Sequence, residues 1–487
     1  MASLFEKLRD FRIGLRRKVG NIADQQATTH PSDGQGLLSS SARRPAYFIQ
    51  VGFDFGTSYS KCIYRDIMTQ KAYIHLPDYS VNAELPFLIP GVVLFKDEVI
   101  SCYTDSDQQY PDNGLYHLKT ALAKVALDES SSPILKTYEM VTGTKGKEFL
   151  YKLIENCSVY YLGKALGVVK SNIRRRFPEF GSDEQDYIAV NMAIPVGEAE
   201  CPRVNHLFHR ILTDAWALAD NLHSRSSIEL KTLDELRNDL KVNGCNGLEN
   251  ACYVYPEVSA NVQGFVRSRL SGEGIYLFSD TGAGTVDQSV FIFHRPDKSE
   301  TLTYLCGRVL PLGSSQIELM AAVMSGNSDT NYLEELRKKK EKEEFNNDIH
   351  RSCREIERKL IIETERTLAM AKCKLRIKND LERIKIIFGG GGYSENPYGR
   401  AVLSPFAGQL FSQPINPDII SVPPPNDLDL QDYQRRWMKR LSVAYGLSFE
   451  QGELAHFIYP KEVAEPTADE IWRTCREPVE APSKDQC

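Results

Sequence analysis

Two stretches of this chain repeat one uncommon design: an apolar strand ending on an aspartate, a turn of small residues, and a strand leading away. The first is Asp54-Phe55-Gly56-Thr57-Ser58-Tyr59-Ser60, set between strands read over 46–53 and 61–65. The second is Asp280-Thr281-Gly282-Ala283-Gly284-Thr285-Val286-Asp287, between strands read over 274–279 and 288–294. Glycine in such a turn lets the backbone close on an anion, while Thr and Ser hydroxyls and amide hydrogens supply donors to phosphate oxygens. The aspartate at the strand end faces the same space, where it can hold a hydrated magnesium ion. One such hairpin is an ordinary turn. Two of the same chemistry point to two similar halves, each offering an anion-binding hairpin to a shared cleft.

Length agrees with two halves, because 487 residues exceed what one hydrophobic core normally supports. With 42% hydrophobic and 25% charged residues the composition is that of a globular protein. The net charge of −6 argues against a general nucleic-acid binder, and no nucleic-acid partner is expected. No run reaches the roughly 18–20 apolar residues of a membrane span, and no apolar core follows the basic N-terminus as in a secretory signal. The 11 cysteines are scattered without a Cys-x-x-Cys pair, which suits a cytoplasmic protein with mostly buried free thiols. His206 and His209 have no neighbouring Cys, Asp or Glu set, so a helix surface is expected there rather than zinc.

Along the chain, residues 1–20 place Leu4, Leu8, Phe11, Leu15 and Val19 at helical spacing among six basic and two acidic side chains. A helix packed on its own protein is the plainer reading. Weak docking on a membrane or a protein, leaving the protein peripheral to a membrane, is the sharper one. Residues 21–45 read as a flexible linker. From 46 a meander of antiparallel strands is expected (the Asp54 hairpin, 71–76, 91–95 and 99–103). Then follow a helix over 148–176, a buried strand over 187–194, a helix over 204–222, a strand over 251–255 and a helix from Glu257. That alternation makes an α/β body. Residues 330–383 read as charged paired helices whose charges are solvated. A strand over 384–388 then breaks into Gly389, Gly390, Gly391 and Gly392, four glycines that let a flat ring or sugar lie against bare backbone. A helix near 397–403, a strand over 418–422 and a helix over 432–447 close the folded part. The dinucleotide fingerprint is not met, because Asp287 stands where its third glycine belongs and a strand follows where a helix is required.

Taken in order, the three glycine-rich segments resemble the phosphate-1, phosphate-2 and adenosine motifs of the actin, DnaK-type chaperone and sugar-kinase ATPase superfamily. The DnaK-like chaperone ATPase domain is the closer likeness. Its Asp-x-Gly-Thr-Thr-x-Ser resembles 54–60, with Ser58 in the second Thr place. Its Asp-x-Gly-Gly-Gly-Thr-x-Asp resembles 280–287, with Ala283 replacing one Gly. Glu257-Val258-Ser259-Ala260, Leu312-Gly313 and Val443-Ala444-Tyr445-Gly446 echo further motifs.

The resemblance implies a duplicated ribonuclease-H-like fold of two lobes holding ATP and Mg2+ in the cleft between them. Residues 1–45 would form the basic helix and linker, 46–270 lobe I, 271–447 lobe II with a charged helical subdomain over 318–383, and 448–487 a Pro- and Glu-rich tail. Carried over by position, Asp54 and Asp280 would orient the hydrated magnesium. Gly56, Thr57, Ser58, Gly282, Ala283, Gly284, Thr285 and Asp287 would hold the phosphates, Gly389 to Gly392 would border the adenosine, and Glu257 would orient the attacking water. Two departures argue against rapid hydrolysis. No lysine between the 91–103 hairpin and Lys119 matches the one these ATPases aim at the γ-phosphate, and Arg440 stands where they often carry an acid. The residues after 447 are too few for the family's peptide-binding domain, so a client-holding chaperone is not expected. The expectation is slow Mg-dependent ATP hydrolysis whose lobe closure signals to a protein partner. An actin-like filament protein, a small-molecule kinase and a non-catalytic nucleotide sensor are the alternatives.

Overall fold

The structure is a computed structural model describing residues 44–77, 85–103, 110–143, 146–194, 201–243, 250–268, 271–296, 299–327, 329–391, 395–408, 410–430 and 432–466. The chain separates into a short N-terminal unit, Met1–Pro45, and a body, Ala46–Cys487. The amphipathic pattern of 1–20, Gly392 and most of the C-terminal tail lie outside the described residues.

The body is mixed α/β, built on three sheets. Its strands are β1 (Phe48–Asp54), β2 (Tyr59–Asp66), β3 (Lys71–Ile74), β4 (Ile89–Pro90), β5 (Val92–Lys96), β6 (Val99–Cys102), β7 (Gly114–Tyr116), β8 (Tyr187–Ile194), β9 (Ser227–Glu229) and β10 (Cys252–Pro256). The later ones are β11 (Gly274–Thr281), β12 (Val286–His294), β13 (Thr301–Leu310), β14 (Lys385–Gly389), β15 (Asp418–Ile420) and β16 (His456–Ile458). One sheet runs β10-β8-β1-β2-β3, with β4 on β2, and another runs β15-β14-β11-β12-β13-β16. In each, the strand ending on the motif aspartate is antiparallel to the next strand and parallel to a later one. Apart from β4 and β16, the two sheets repeat the same order and the same directions.

The expected single meander does not form. Strands β5 and β6 leave β3 and join β7 and β9 in a separate antiparallel sheet. Alternation alone does not say which sheet a hairpin joins, because any edge satisfies its backbone equally well.

Strand β1 shows why the sequence folds this way. Ile49, Val51 and Phe53 point to one face, where they enter a core shared with the helices Leu118–Leu127, Lys147–Arg176 and Pro202–Leu222. The opposite face carries Gly52, and a β-carbon there would lie 2.2 Å from the Ala444 carbonyl oxygen. The helix Met438–Leu447 therefore rests directly on the strand. Asn191 of β8 fastens its end, donating from Nδ2 to the Leu447 and Phe449 carbonyls at 2.8 Å each.

The packing crosses over between the halves of the chain. The short helix Glu257–Asn261 and the turn after it follow the first sheet, yet Val258, Val262 and Phe265 pack against Tyr276, Phe278 and Phe291 of the second. Helix Met438–Leu447 follows the second sheet and covers the first. The two helices cross at Gly446, where a β-carbon would lie 1.8 Å from the Ala260 carbonyl oxygen. Beside this crossing Arg65 is fully buried, its Nη1 donating to Asp427 Oδ2 (2.5 Å) and its guanidinium 3.9 Å from the Phe449 ring centre.

The charged region holds the helices Ser315–Ser325, Thr330–Glu341 and Asn347–Lys374. Among the described residues no helix is long and apolar enough to cross a membrane. Every described cysteine is a free thiol, with Cys62, Cys157, Cys252 and Cys306 buried and Cys373 exposed.

Candidate functional site

Both motif turns open on one cavity of about 1310 Å³. The first leaves β1 at Asp54. A β-carbon on Gly56 would lie 2.1 Å from the Tyr59 carbonyl oxygen, so the turn closes this tightly only on glycine. Its far side is held by the Gly91 amide donating to the Ser58 carbonyl at 2.7 Å.

The second turn leaves β11 just after Asp280 and Thr281 and is pinned from outside. The Gly313, Ser314 and Ser315 amides donate to the Gly284, Gly282 and Ala283 carbonyls at 3.2, 3.0 and 2.8 Å. That explains the Leu312-Gly313 pair: a β-carbon on Gly313 would come within 2.4 Å of both the Ala283 carbonyl oxygen and the Thr285 nitrogen. Strand β12 begins at Val286, so Asp287 stands in the strand directly across from Asp280 rather than in the turn.

The glycine run lies alongside. Because β14 pairs in parallel with β11, Gly389 is the neighbour of Asp280. Gly390 has φ +87°, and a β-carbon on it would lie 2.1 Å from Asp280 Oδ1. Only glycine combines that backbone with that contact. Gly391 meets the Arg440 guanidinium, whose Nη1 would lie 2.6 Å from a β-carbon.

Asp54, Gly56, Thr57, Ser58, Glu257, Asp280, Gly282, Ala283, Thr285, Asp287, Gly390 and Gly391 all line the cavity. Gly284 is used differently, packed on the Thr57 methyl, and Gly389 sits behind the Asp280 carboxyl with Phe278 and Asn261. Thus all but one of the residues expected from sequence gather here, the exception being Gly392, which lies outside the described residues.

Electrostatics single out Asp280. Burial and the nearby Glu257 and Asp54 carboxylates push its carboxyl up to about 7, against the pull of Lys61 and Lys119. Asn261 Nδ2 donates to its Oδ2.

Two lysines absent from the sequence-derived site belong to it. Lys61 Nζ donates to Asp54 Oδ2 at 2.8 Å. Lys119, near the start of the helix Leu118–Leu127, reaches in to pair with Glu257. Burial alone would lower the Lys119 pKa, but the Glu257 and Asp54 carboxylates outweigh it and leave the ammonium above its usual value. Lys119 itself, which bounds the interval where no match to the family's lysine was expected, thus enters this space. Strand register held the signal for Lys61, since a hairpin centred between 57 and 58 sets residue 61 across from residue 54. Nothing local marks Lys119, because only tertiary packing turns that helix toward the cleft. Arg440 also lines the cavity, and burial holds its pKa below the usual arginine value.

For magnesium, the Asp54 carboxylate offers a buried Oδ1 with no hydrogen-bond partner, an acceptor suited to a metal-bound water. No group of three or more His, Cys, Asp or Glu among the described residues stands close enough to hold a metal directly. The donor set thus suits a hydrated ion rather than a directly caged one. Comparison with models of known protein families gives no match, and comparison with curated proteins gives none either.

Proposed function

We propose that the body is an ATP-binding module of the DnaK-like type. On this reading its two matching sheets are the halves of a duplicated ribonuclease-H-like fold, and its cavity holds Mg-ATP. One observation carries the reading. Two hairpins with the same strand directions bring Asp54 and Asp280 to one cavity, with glycine at each turn and a third glycine run beside them. A pair of ordinary hairpins has no reason to converge in this way.

Within that site the chain's own groups have separable tasks. Amides and hydroxyls of 56–58 and 282–285 bind phosphate oxygens, since phosphoryl transfer needs positioning and charge compensation more than covalent chemistry. Glu257, with one oxygen on the Lys119 ammonium, orients a water toward the terminal phosphate. The Asp54 Oδ1 and the Asp280 carboxyl would hold a hydrated magnesium ion, which would supply charge neutralisation when bound. Gly390 and Gly391 present bare backbone to the nucleoside, with Arg440 behind. Slow hydrolysis coupled to closure and read by a protein partner completes the proposal.

Calorimetry with ATP and magnesium, together with phosphate release, tests it on wild type and Asp280→Ala. Binding that weakens at least about tenfold in the variant supports the reading. No binding by the wild type ends it. A sensor that binds without turnover is favoured by the engagement of Glu257 with Lys119, and unmeasurable turnover alongside tight binding would select it.

A further inference from the structure

The two motif hairpins match in strand directions and register, yet the residue across from the motif aspartate differs between them. Across from the terminal aspartate, the second hairpin has another acid, Asp287 facing Asp280. The first has a base, Lys61 facing Asp54. Directly opposed residues on antiparallel strands share a sheet face, so register alone brings the Lys61 ammonium to the Asp54 carboxylate. Lys61 Nζ donates to Oδ2 at 2.8 Å.

The ammonium is not spent in this pair. It has three donors and Asp54 takes one. Lys61 lines the cavity with its side chain 18% exposed, and a β-carbon on Gly56 would lie 3.5 Å from Nζ. Its remaining donors therefore stand beside the first turn, where phosphate oxygens would lie.

Charge compensation gives this position its weight. Asp54, Glu257, Asp280 and Asp287 line the cavity together with Lys61, Lys119, Lys340, Lys439 and Arg440. Glu257 is already paired with Lys119, so what a polyanion meets beside Asp54 depends on the cation placed there. A hydrated divalent cation ordinarily fills such a place by bridging phosphate oxygens and acids. Here a fixed ammonium already touches the acid that would receive that cation's waters.

We propose that Lys61 is a phosphate-positioning residue whose ammonium takes over part of the divalent cation's charge, so that this cleft binds nucleoside triphosphate with weak dependence on magnesium. The inference rests on the nucleotide reading above but concerns a separate quantity, the ratio of affinities with and without the metal.

The test is calorimetric titration of ATP into the full chain, in magnesium and in EDTA, for wild type, Lys61→Met and Lys61→Arg, with thermal unfolding run on each. Wild-type affinity is expected to change by less than about tenfold on chelation. Lys61→Met is expected to lose at least about tenfold in EDTA and clearly less in magnesium, while Lys61→Arg stays near wild type in both. Wild-type binding that vanishes in EDTA and returns with magnesium overturns the inference alone. So does an equal loss by Lys61→Met in both buffers. Absence of ATP binding in either buffer overturns the nucleotide reading and this inference with it. If Lys61→Met does not fold, the wild-type ratio and Lys61→Arg still decide.

Discussion

Gly284 and Thr57 are the point at which the two turns touch: a β-carbon on Gly284 would lie 2.7 Å from Thr57 Cγ2. No β-carbon fits at that separation without moving one turn. Gly284→Ala is therefore expected to push the turns apart and weaken ATP binding by about tenfold, or ~1.4 kcal/mol. Thr57→Ser removes the opposing methyl, so the double variant should regain most of the loss. Titration of the four proteins in a double-mutant cycle measures this coupling, and strictly additive losses would refute the contact as the cause.

The Lys119–Glu257 pair predicts a second cycle. Glu257→Gln is expected to lower kcat by about 10²–10⁴ with ATP affinity little changed, as for loss of a general base. Lys119→Met leaves the Glu257 carboxylate without its partner in the cleft and should cost about 1–3 kcal/mol of stability, read as a lower Tm. Combining them should restore part of that stability, because Gln carries no charge to strand.

Asp280 predicts a pH dependence. Unfolded, its carboxyl titrates near the ordinary value of about 3.9; folded, it is held up to about 7. Between those values the folded state binds more protons, so this group's contribution to stability is present at low pH and falls as pH rises through 7. Asp280→Asn removes the effect. Its Tm should exceed that of wild type at pH 8, and the gap should close toward pH 4. A gap independent of pH would show that Asp280 is not the titrating group.

Gly446 tests the helix crossing. With the Ala260 carbonyl 1.8 Å from where a β-carbon would stand, Gly446→Ala must displace one helix from the other. A loss of about 1–3 kcal/mol is expected by urea unfolding, the range for overpacking a tight interior. Gly452→Ala, where nothing lies within 4 Å of the added carbon, is the matched control and should change little.

Much of this molecule was legible in its sequence because local chemistry wrote it there. An aspartate at a strand end followed by glycine and hydroxyl residues specifies a tight turn wherever it occurs, and the repetition at 54–60 and 280–287 anticipated two like hairpins. The glycines at 56 and 390 are required by close approach and by positive φ, which only that residue supplies freely. Many of the strands and helices followed from apolar periodicity, and the expected site residues from turn chemistry and the family resemblance.

What the tertiary structure decided was everything set by contacts distant in sequence. It moved β5 and β6 into a third sheet, laid the helix after each sheet across the other, and turned Lys119 toward Glu257. It also gave Asp280 its shifted carboxyl, since that shift comes from burial and from charges on Glu257 and Asp54 brought near by the fold. The physical reason is common to all of these. Periodicity and turn residues describe how a segment satisfies its own backbone, whereas which segments meet, and which charges then share one low-dielectric space, depends on the whole chain closing on itself.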